Sequence, residues 1–210
     1  MPVSSATNLV LASGSPRRQD LLREMGLSFQ VKPAQTDGPP TSEEPGERVL
    51  GHALHKASEI AAVEPTAVIL AADTLVWCRG HFLPKPVDRA DAARMLHRLS
   101  GVEHQVWTGA CLIKGGQVLA QRADCACVQF DILLDSEIEA YLKTTEWCDK
   151  AGAYGIQGWA ASRTKLLTGW QGTVVGLASE AVSALFLEAG LSWGRNGYNA
   201  RPDSALKPVE

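Results

Sequence analysis

Ala67-Val68-Ile69-Leu70-Ala71-Ala72 is an unbroken apolar run closed by a carboxylate, Asp73. Strands with one wet face alternate apolar and polar residues, whereas an unbroken run marks a strand covered on both faces. The run therefore predicts a central strand inside a layered sheet. A carboxylate at the end of such a strand must be ionised at the sheet's open edge, bonded to a partner, or bound to a cation. In open α/β sheets that edge is where ligands gather. A turn or helix-cap carboxylate is the other reading of Asp73, and the residue alone does not choose between them.

The chain around this strand divides into short elements. Leu9-Val10-Leu11-Ala12 reads as a strand, Ser13-Gly14-Ser15-Pro16 as a tight loop, and Leu21, Leu22 and Met25 as one face of a helix ended by Gly26. Phe29 and Val31 suggest a second strand, followed by a Pro- and Gly-rich loop over 33–46 with the composition of a lid. Leu50, Ala53, Leu54, Ala57, Ile60 and Ala61 recur at helical spacing, leaving His52, Lys56 and Glu59 on another face. Arg79-Gly80 marks a hairpin, Asp88 caps a helix ending near Gly101, and two longer strands flank Lys114-Gly115-Gly116. Ser136 and Glu139 form a capping-box pattern. Lys150 to Gly158 holds three glycines, the mark of a sharp turn or a close backbone approach, and a last helix starts at Ser179. We read 1–193 as a single domain and 194–210, polar with two prolines, as a flexible tail.

With 210 residues and 45% hydrophobic side chains, the chain can bury a sizeable core without disulfides. Its net charge of -3 gives no global basic field for a nucleic-acid duplex, so a polyanionic substrate must meet a local cluster of Lys and Arg. The five cysteines are odd in number and contain no C-x-x-C pair, which argues against a secreted disulfide framework and a structural zinc site. No stretch approaches the roughly 20 apolar residues of a membrane span, and no secretory leader is evident, so a cytoplasmic location is expected.

Ser13 to Arg18 joins a strand to a helix, with Ser15 placed to cap and Pro16 suited to the first turn. Free N–H groups, the helix dipole, two hydroxyls and the guanidiniums of Arg17 and Arg18 would converge there on a phosphate. An ordinary capped helix with solvated arginines is the plainer reading of the same segment. Lys56 and Lys85 read first as solvated charges, although Pro84 and Pro86 would hold the Lys85 ammonium at low entropic cost. His52 and His55 lie three apart on a helix without an evident third metal ligand, and are expected to be surface imidazoles. Trp159 and Trp170 suit either base stacking or packing.

In order along the chain, Leu11-Ala12-Ser13-Gly14-Ser15-Pro16-Arg17-Arg18, His55-Lys56-Ala57, Ala72-Asp73-Thr74, Lys85-Pro86, Met95 to Gly101, His104 with Thr108-Gly109, Lys150 to Gly158, and Val174-Val175-Gly176-Leu177 resemble the Maf family of nucleotide pyrophosphatases. The resemblance implies an α/β fold with a mixed sheet and flanking helices, like that of inosine triphosphate pyrophosphatases, with an active cleft at strand ends. It implies hydrolysis of a nucleoside triphosphate to monophosphate and pyrophosphate, a divalent cation (Mg or Mn), and a homodimer. Carried over residue by residue, Asp73 is the catalytic acidic residue, as metal ligand or as base, Lys56 and Lys85 contact phosphate, and Arg17, Thr74 and Gln157 separate subfamilies.

Ala72-Asp73-Thr74 and Gly155-Ile156-Gln157-Gly158 resemble the branch acting on dTTP and UTP rather than that acting on 7-methyl-GTP. An amide at Gln157 both accepts and donates, matching N3–H and O4 of thymine or uracil, whereas a glutamate only accepts. Modified pyrimidine nucleotides are also candidate substrates. Two departures stand out: Gly38 replaces an acidic residue common after Asp37, and Ala178 replaces a proline. Gly38 keeps open a non-catalytic nucleotide-binding regulator linked to septum formation, unless Asp37 or an acid between Glu43 and Glu47 substitutes.

Overall fold

The computed structural model describes residues 8–194 and 197–200. The chain opens with strand β1 (Leu9–Leu11), helix α1 (Pro16–Glu24), β2 (Gln30–Val31) and the long helix α2 (Pro45–Val63). The central strand β3 (Val68–Cys78) turns at Arg79-Gly80 into β4 (His81–Leu83), and α3 (Arg89–Leu99) follows. Two long strands, β5 (Glu103–Lys114) and β6 (Gln117–Phe130), lead to α4 (Asp135–Tyr141). Short 3-10 turns at Ala151–Ala153 and Trp159–Ser162 precede β7 (Thr164–Thr168), α5 (Gln171–Val175) and α6 (Ser179–Glu188).

The main sheet has the order β2-β1-β3-β5-β6-β7, with β4 paired to β3. β2, β1 and β3 run parallel, while β5, β6 and β7 continue antiparallel, so the sheet is mixed as expected. Strand alternation divides the apolar run of β3 between two cores. Val68, Leu70 and Ala72 face the cluster that α6 closes with Val182, Leu185 and Phe186, whereas Ile69 and Ala71 face α2 through Ala53, Ala57 and Ile60. Fully buried Leu70, Leu112 and Phe186 each contribute about 1.5–3 kcal/mol by leaving water. A third cluster joins α3, α4 and the far ends of β5 and β6 around Phe130 and Tyr141.

α2 lies so close to β5 that a Cβ on Gly109 would sit 2.5 Å from the Val49 backbone, which requires glycine there. This contact sets the height of α2 above the sheet.

Four sequence expectations shift. Asp73 is the sixth residue of an eleven-residue strand, not its last. β1 pairs with Val68 to Leu70 and β4 with Val76 to Cys78. Both lie on the edge of β3 away from β5, which leaves Ala71 to Leu75 without a strand partner on that edge among the described residues. Asp73 therefore occupies a gap in the sheet. The apolar run ended too early to reveal β3's full length, because its second half carries mixed residues and half-buried positions.

The capping box lies elsewhere as well: α4 starts at Asp135, and the Glu137 carboxylate accepts from the Leu134 N–H at 3.0 Å. Glu139 pairs with Arg89 instead. Ser15 holds the N-cap position of α1 but makes no side-chain cap; its own N–H donates to Ser13 Oγ at 3.3 Å. Beyond α6, β8 (Leu191–Gly194) pairs antiparallel with β9 (Gly197–Ala200). The tail expected over 194–210 thus contains a strand, and 201–210 lie outside the described residues. No helix among the described residues is long and apolar enough to cross a membrane.

Candidate active site

The gap in the sheet opens into a cleft of about 960 Å³. Arg17, Arg18, Arg48, Lys56, Lys85 and Lys150 line it against only three carboxylates, Asp37, Asp73 and Asp149. A chain of net charge -3 has thus concentrated cations in one place, as a polyanionic ligand requires.

Asp73 follows Ile69 and Ala71 onto the α2 face of the sheet. There His52 and Lys56, one helical turn apart, meet it. Lys56 Nζ donates to Asp73 Oδ1 at 2.6 Å, and His52 Nδ1 lies 2.9 Å from Oδ2. Burial pushes the Asp73 carboxyl's pKa up. The His52 hydrogen bond, the charge and hydrogen bond of Lys56, and the Arg18 charge outweigh it and bring the pKa to about 2. Asp73 is therefore an ionised carboxylate, held in place at neutral pH.

Lys56 Nζ also reaches Asp37 Oδ1 at 2.6 Å, so two carboxylates from different segments meet at one point. Gly38 follows with φ +77°, and a Cβ there would stand 2.5 Å from the His55 ring. A side chain at 38 would be strained by the backbone and would have to displace the His55 ring, while Asp37 holds the acidic place in the cleft. Glu43 and Glu47, the alternatives weighed from the sequence, engage Arg48 and Ser42.

Thr74, next along β3, points to the opposite face. Its hydroxyl lies 2.9 Å from Thr108 Oγ1, and Thr108 Oγ1 donates to Thr173 O at 2.7 Å. Arg18 ties this face together. Its Nη1 donates to Ser13 Oγ and Ala72 O, both at 2.9 Å, its Nε to Gly176 O at 2.9 Å, and its Nη2 to Thr74 Oγ1 at 3.1 Å. This departs from the expectation of two guanidiniums free to meet a phosphate. Four of the five Arg18 N–H groups serve the fold, and of this pair Arg17 is left with its guanidinium free for the cleft.

Ser13, Arg17, Arg18, Lys56, Asp73, Thr74 and Lys85 all line the one cleft. Gln157 does not. It is exposed in an adjoining depression of about 560 Å³ with Trp170, and only Arg17, Arg18 and Val175 border both. Trp159 stacks on Tyr141 at 4.3 Å and is a packing residue, whereas Trp170 is 52% exposed.

His52 corrects the sequence reading most directly, because it is no surface imidazole. Its spacing of four from Lys56 was the available signal; what the sequence lacked was the strand opposite. Arg48, stacked on Phe82 at 3.7 Å, and Lys150 were also missed as cleft residues. Among the described residues, no group of three or more His, Cys, Asp or Glu side chains gathers as a metal site.

A family model described as Maf-like protein matches residues 8–189. A dTTP/UTP pyrophosphatase of Symbiobacterium thermophilum is 45% identical over 170 residues, covering 80% of this chain and 87% of its own. One from Latilactobacillus sakei is 45% identical over 177 residues, covering 84% and 97%, and one from Anaeromyxobacter dehalogenans 43% over 193 residues, covering 90% and 98%. A solved structure described as a HAM1 protein from Coxiella burnetii is similar over 58% of this chain and 70% of its own, with 18% identity and a TM-score of 0.39. The family match takes in every element from β1 to α6, including both walls of the cleft, and the chain belongs to the Maf family.

Proposed function

We propose that this protein is a nucleoside triphosphate pyrophosphatase that hydrolyses dTTP and UTP to the monophosphate and pyrophosphate. The observation that carries the reading is an ionised carboxylate, Asp73, set among six cationic side chains in one cleft. Curated relatives more than 40% identical bear the name dTTP/UTP pyrophosphatase, which supports the choice of substrate.

In this reading the triphosphate lies along the Ser13 to Arg18 turn at the N-terminus of α1, where unpaired backbone N–H groups and the helix dipole favour an anion. Arg17, Lys85 and Lys150 neutralise phosphate oxygens from the cleft walls. Arg18 acts one step back, holding Ser13 and Thr74 in place. The base extends past Arg17 toward Gln157, whose amide pairs with N3–H and O4 of the pyrimidine. Asp73 serves at the reacting phosphate, and its ionised form suits both holding a cation and accepting a proton from the attacking water.

The residues fit a divalent cation, Mg or Mn. Asp37 and Asp73 already converge within 2.6 Å of one point, now held by the Lys56 ammonium. Mg commonly takes one or two protein carboxylates and completes its shell from substrate phosphates and water. When bound, such an ion would neutralise polyphosphate charge and assist attack at phosphorus.

The non-catalytic alternative loses its motive once Gly38 is explained by its backbone and His55, with Asp37 in the acidic place. We further propose a single catalytic unit over 1–193, a homodimer, and a cytoplasmic setting. All five cysteines are free, which suits a reducing compartment.

The test is pyrophosphate release from a panel of triphosphates with Mg or Mn. Release confined to dTTP, UTP and close pyrimidine analogues supports the reading; binding without release overturns it. In the same panel, Gln157→Glu should lower kcat/KM for dTTP and UTP by about 100-fold, since a second acceptor faces O4. An unchanged profile would remove Gln157 from base recognition.

A further inference from the structure

The Asp73 carboxylate is gripped at both oxygens from one rigid helix. Lys56 takes Oδ1 at 2.6 Å and His52 takes Oδ2 at 2.9 Å. The three side chains are between 12% and 16% exposed, so water competes little for these bonds. An ionised carboxylate only accepts, so the His52 Nδ1 must carry the hydrogen and donate it.

The other ring nitrogen, Nε2, is buried and has no hydrogen-bond partner among the described residues. Buried in this way, Nε2 presents no surface to the cleft from which to take a proton from the attacking water. The chemistry of His52 is confined to Nδ1 and therefore to Asp73.

The outer torsion of an aspartate is soft and broad, so one donor does not fix its plane. Lys56 is a weak guide to that plane. Its ammonium presents a rotating point charge, and it is shared with Asp37. A second donor of fixed direction on the other oxygen removes the freedom.

We propose that His52 is a positioning residue: its Nδ1–H locks the plane of the Asp73 carboxylate so that the remaining lone pairs face the bound triphosphate. The proposal rests on the reading of Asp73 given above. It assigns no substrate contact to His52, so the expected signature is a fall in kcat with little change in KM.

The experiment compares His52→Leu, His52→Gln and His52→Asn in dTTP hydrolysis at saturating Mg, with thermal melts as the fold control. The asparagine side-chain amide stands where Nδ1 stood, while glutamine carries its amide one bond further, toward the Nε2 place. His52→Leu and His52→Gln should each lose about 10- to 100-fold in kcat, in the range of lost outer-shell partners. KM should stay within about threefold, and His52→Asn should recover most of the loss.

Wild-type kcat in His52→Leu, or a folded His52→Asn as impaired as His52→Gln, overturns the proposal. So does a loss carried by KM alone. Should His52→Leu fail to fold, the Gln and Asn pair decides by the same criterion. Asp73→Asn is run alongside: full activity there sinks the reading of Asp73, whereas an inactive Asp73→Asn beside a normal His52→Leu sinks only the role of His52.

Discussion

Asp73 and His104 are both titratable side chains largely withdrawn from water, and they resolve the cost in opposite ways. Asp73 lies in the sheet gap with His52 and Lys56 on its oxygens and Arg18 nearby, and its pKa falls to about 2 although burial pushes it up. His104, on β5, lies in the third core at 3% exposure. Its Nε2 is 2.7 Å from the Tyr154 hydroxyl, itself neutral, with Phe130 stacked beside it. Burial there brings the His104 pKa down to about 4, opposed only by a contact with the Val102 backbone. A buried charge survives where opposite charges converge and is otherwise discharged. Burial alone therefore does not mark a site; burial with a charge retained at a cleft does.

The sharpest way to break this contrast is Asp73→Asn. If the retained charge is functional, dTTP hydrolysis should fall at least about 1,000-fold, equivalent to about 4 kcal/mol of lost transition-state stabilisation. Near-UV circular dichroism should show the native fold unchanged, because asparagine keeps the size of the side chain. Substantial residual turnover would make Asp73 a structural carboxylate like any other in a network.

The sequence made one side of the contrast more legible than the other. The unbroken run before Asp73 placed it on a buried strand, and the Ser13 to Arg18 segment was legible as a strand-to-helix turn. Both signals are local, since periodicity and cap chemistry act within one element. Arg18 and His52 were misread because their partners lie far along the chain. Arg18 reaches Ala72, Thr74 and Gly176, and His52 reaches Asp73 across 21 residues. Gly38 looked like a missing acid because nothing local reveals that His55 fills the space beside it. His104 shows the reverse: its motif flagged it, and the structure places it in a core.

The second test addresses that core. His104 is neutral when folded down to about pH 4, while an unfolded histidine protonates near 6.5. Its folded pKa is depressed, so its contribution is intact above about pH 6.5 and is lost as pH falls toward 4. Over that window the native state should lose about 3 kcal/mol relative to a chain without this histidine. Denaturant titrations of wild type and His104→Gln at pH 7 and pH 4.5 measure the difference. Parallel pH slopes would mean His104 is charged in the core, and the contrast with Asp73 would dissolve.

A third, smaller effect is expected on the loop that brings Asp37 to Lys56. Gly38→Ala forces a side chain into φ +77° and against the His55 ring, and should destabilise the fold by about 2 kcal/mol. His55→Ala in the same chain should return part of that loss, since the two sites share one space. Simple additivity would show that the His55 ring does not hold this loop.

The smallest effect separates a polar bond that serves packing from one that serves chemistry. Tyr154→Phe removes the hydroxyl from His104 Nε2 but keeps the ring against Phe130, 4.9 Å away at an interplanar angle of 73°. One neutral hydrogen bond contributes about 1 kcal/mol, so a fall in stability of that size is expected. The kcat for dTTP should stay within about threefold, because the lost hydroxyl points into the core although Tyr154 borders the cleft. The variant removes the His104 side-chain hydrogen-bond partner but leaves in place the burial that lowers the His104 pKa. Its stability should therefore still decline between pH 6.5 and 4, as in wild type. A large loss of kcat in Tyr154→Phe with unaltered stability would move the His104 pair out of the core and into the machinery of the cleft.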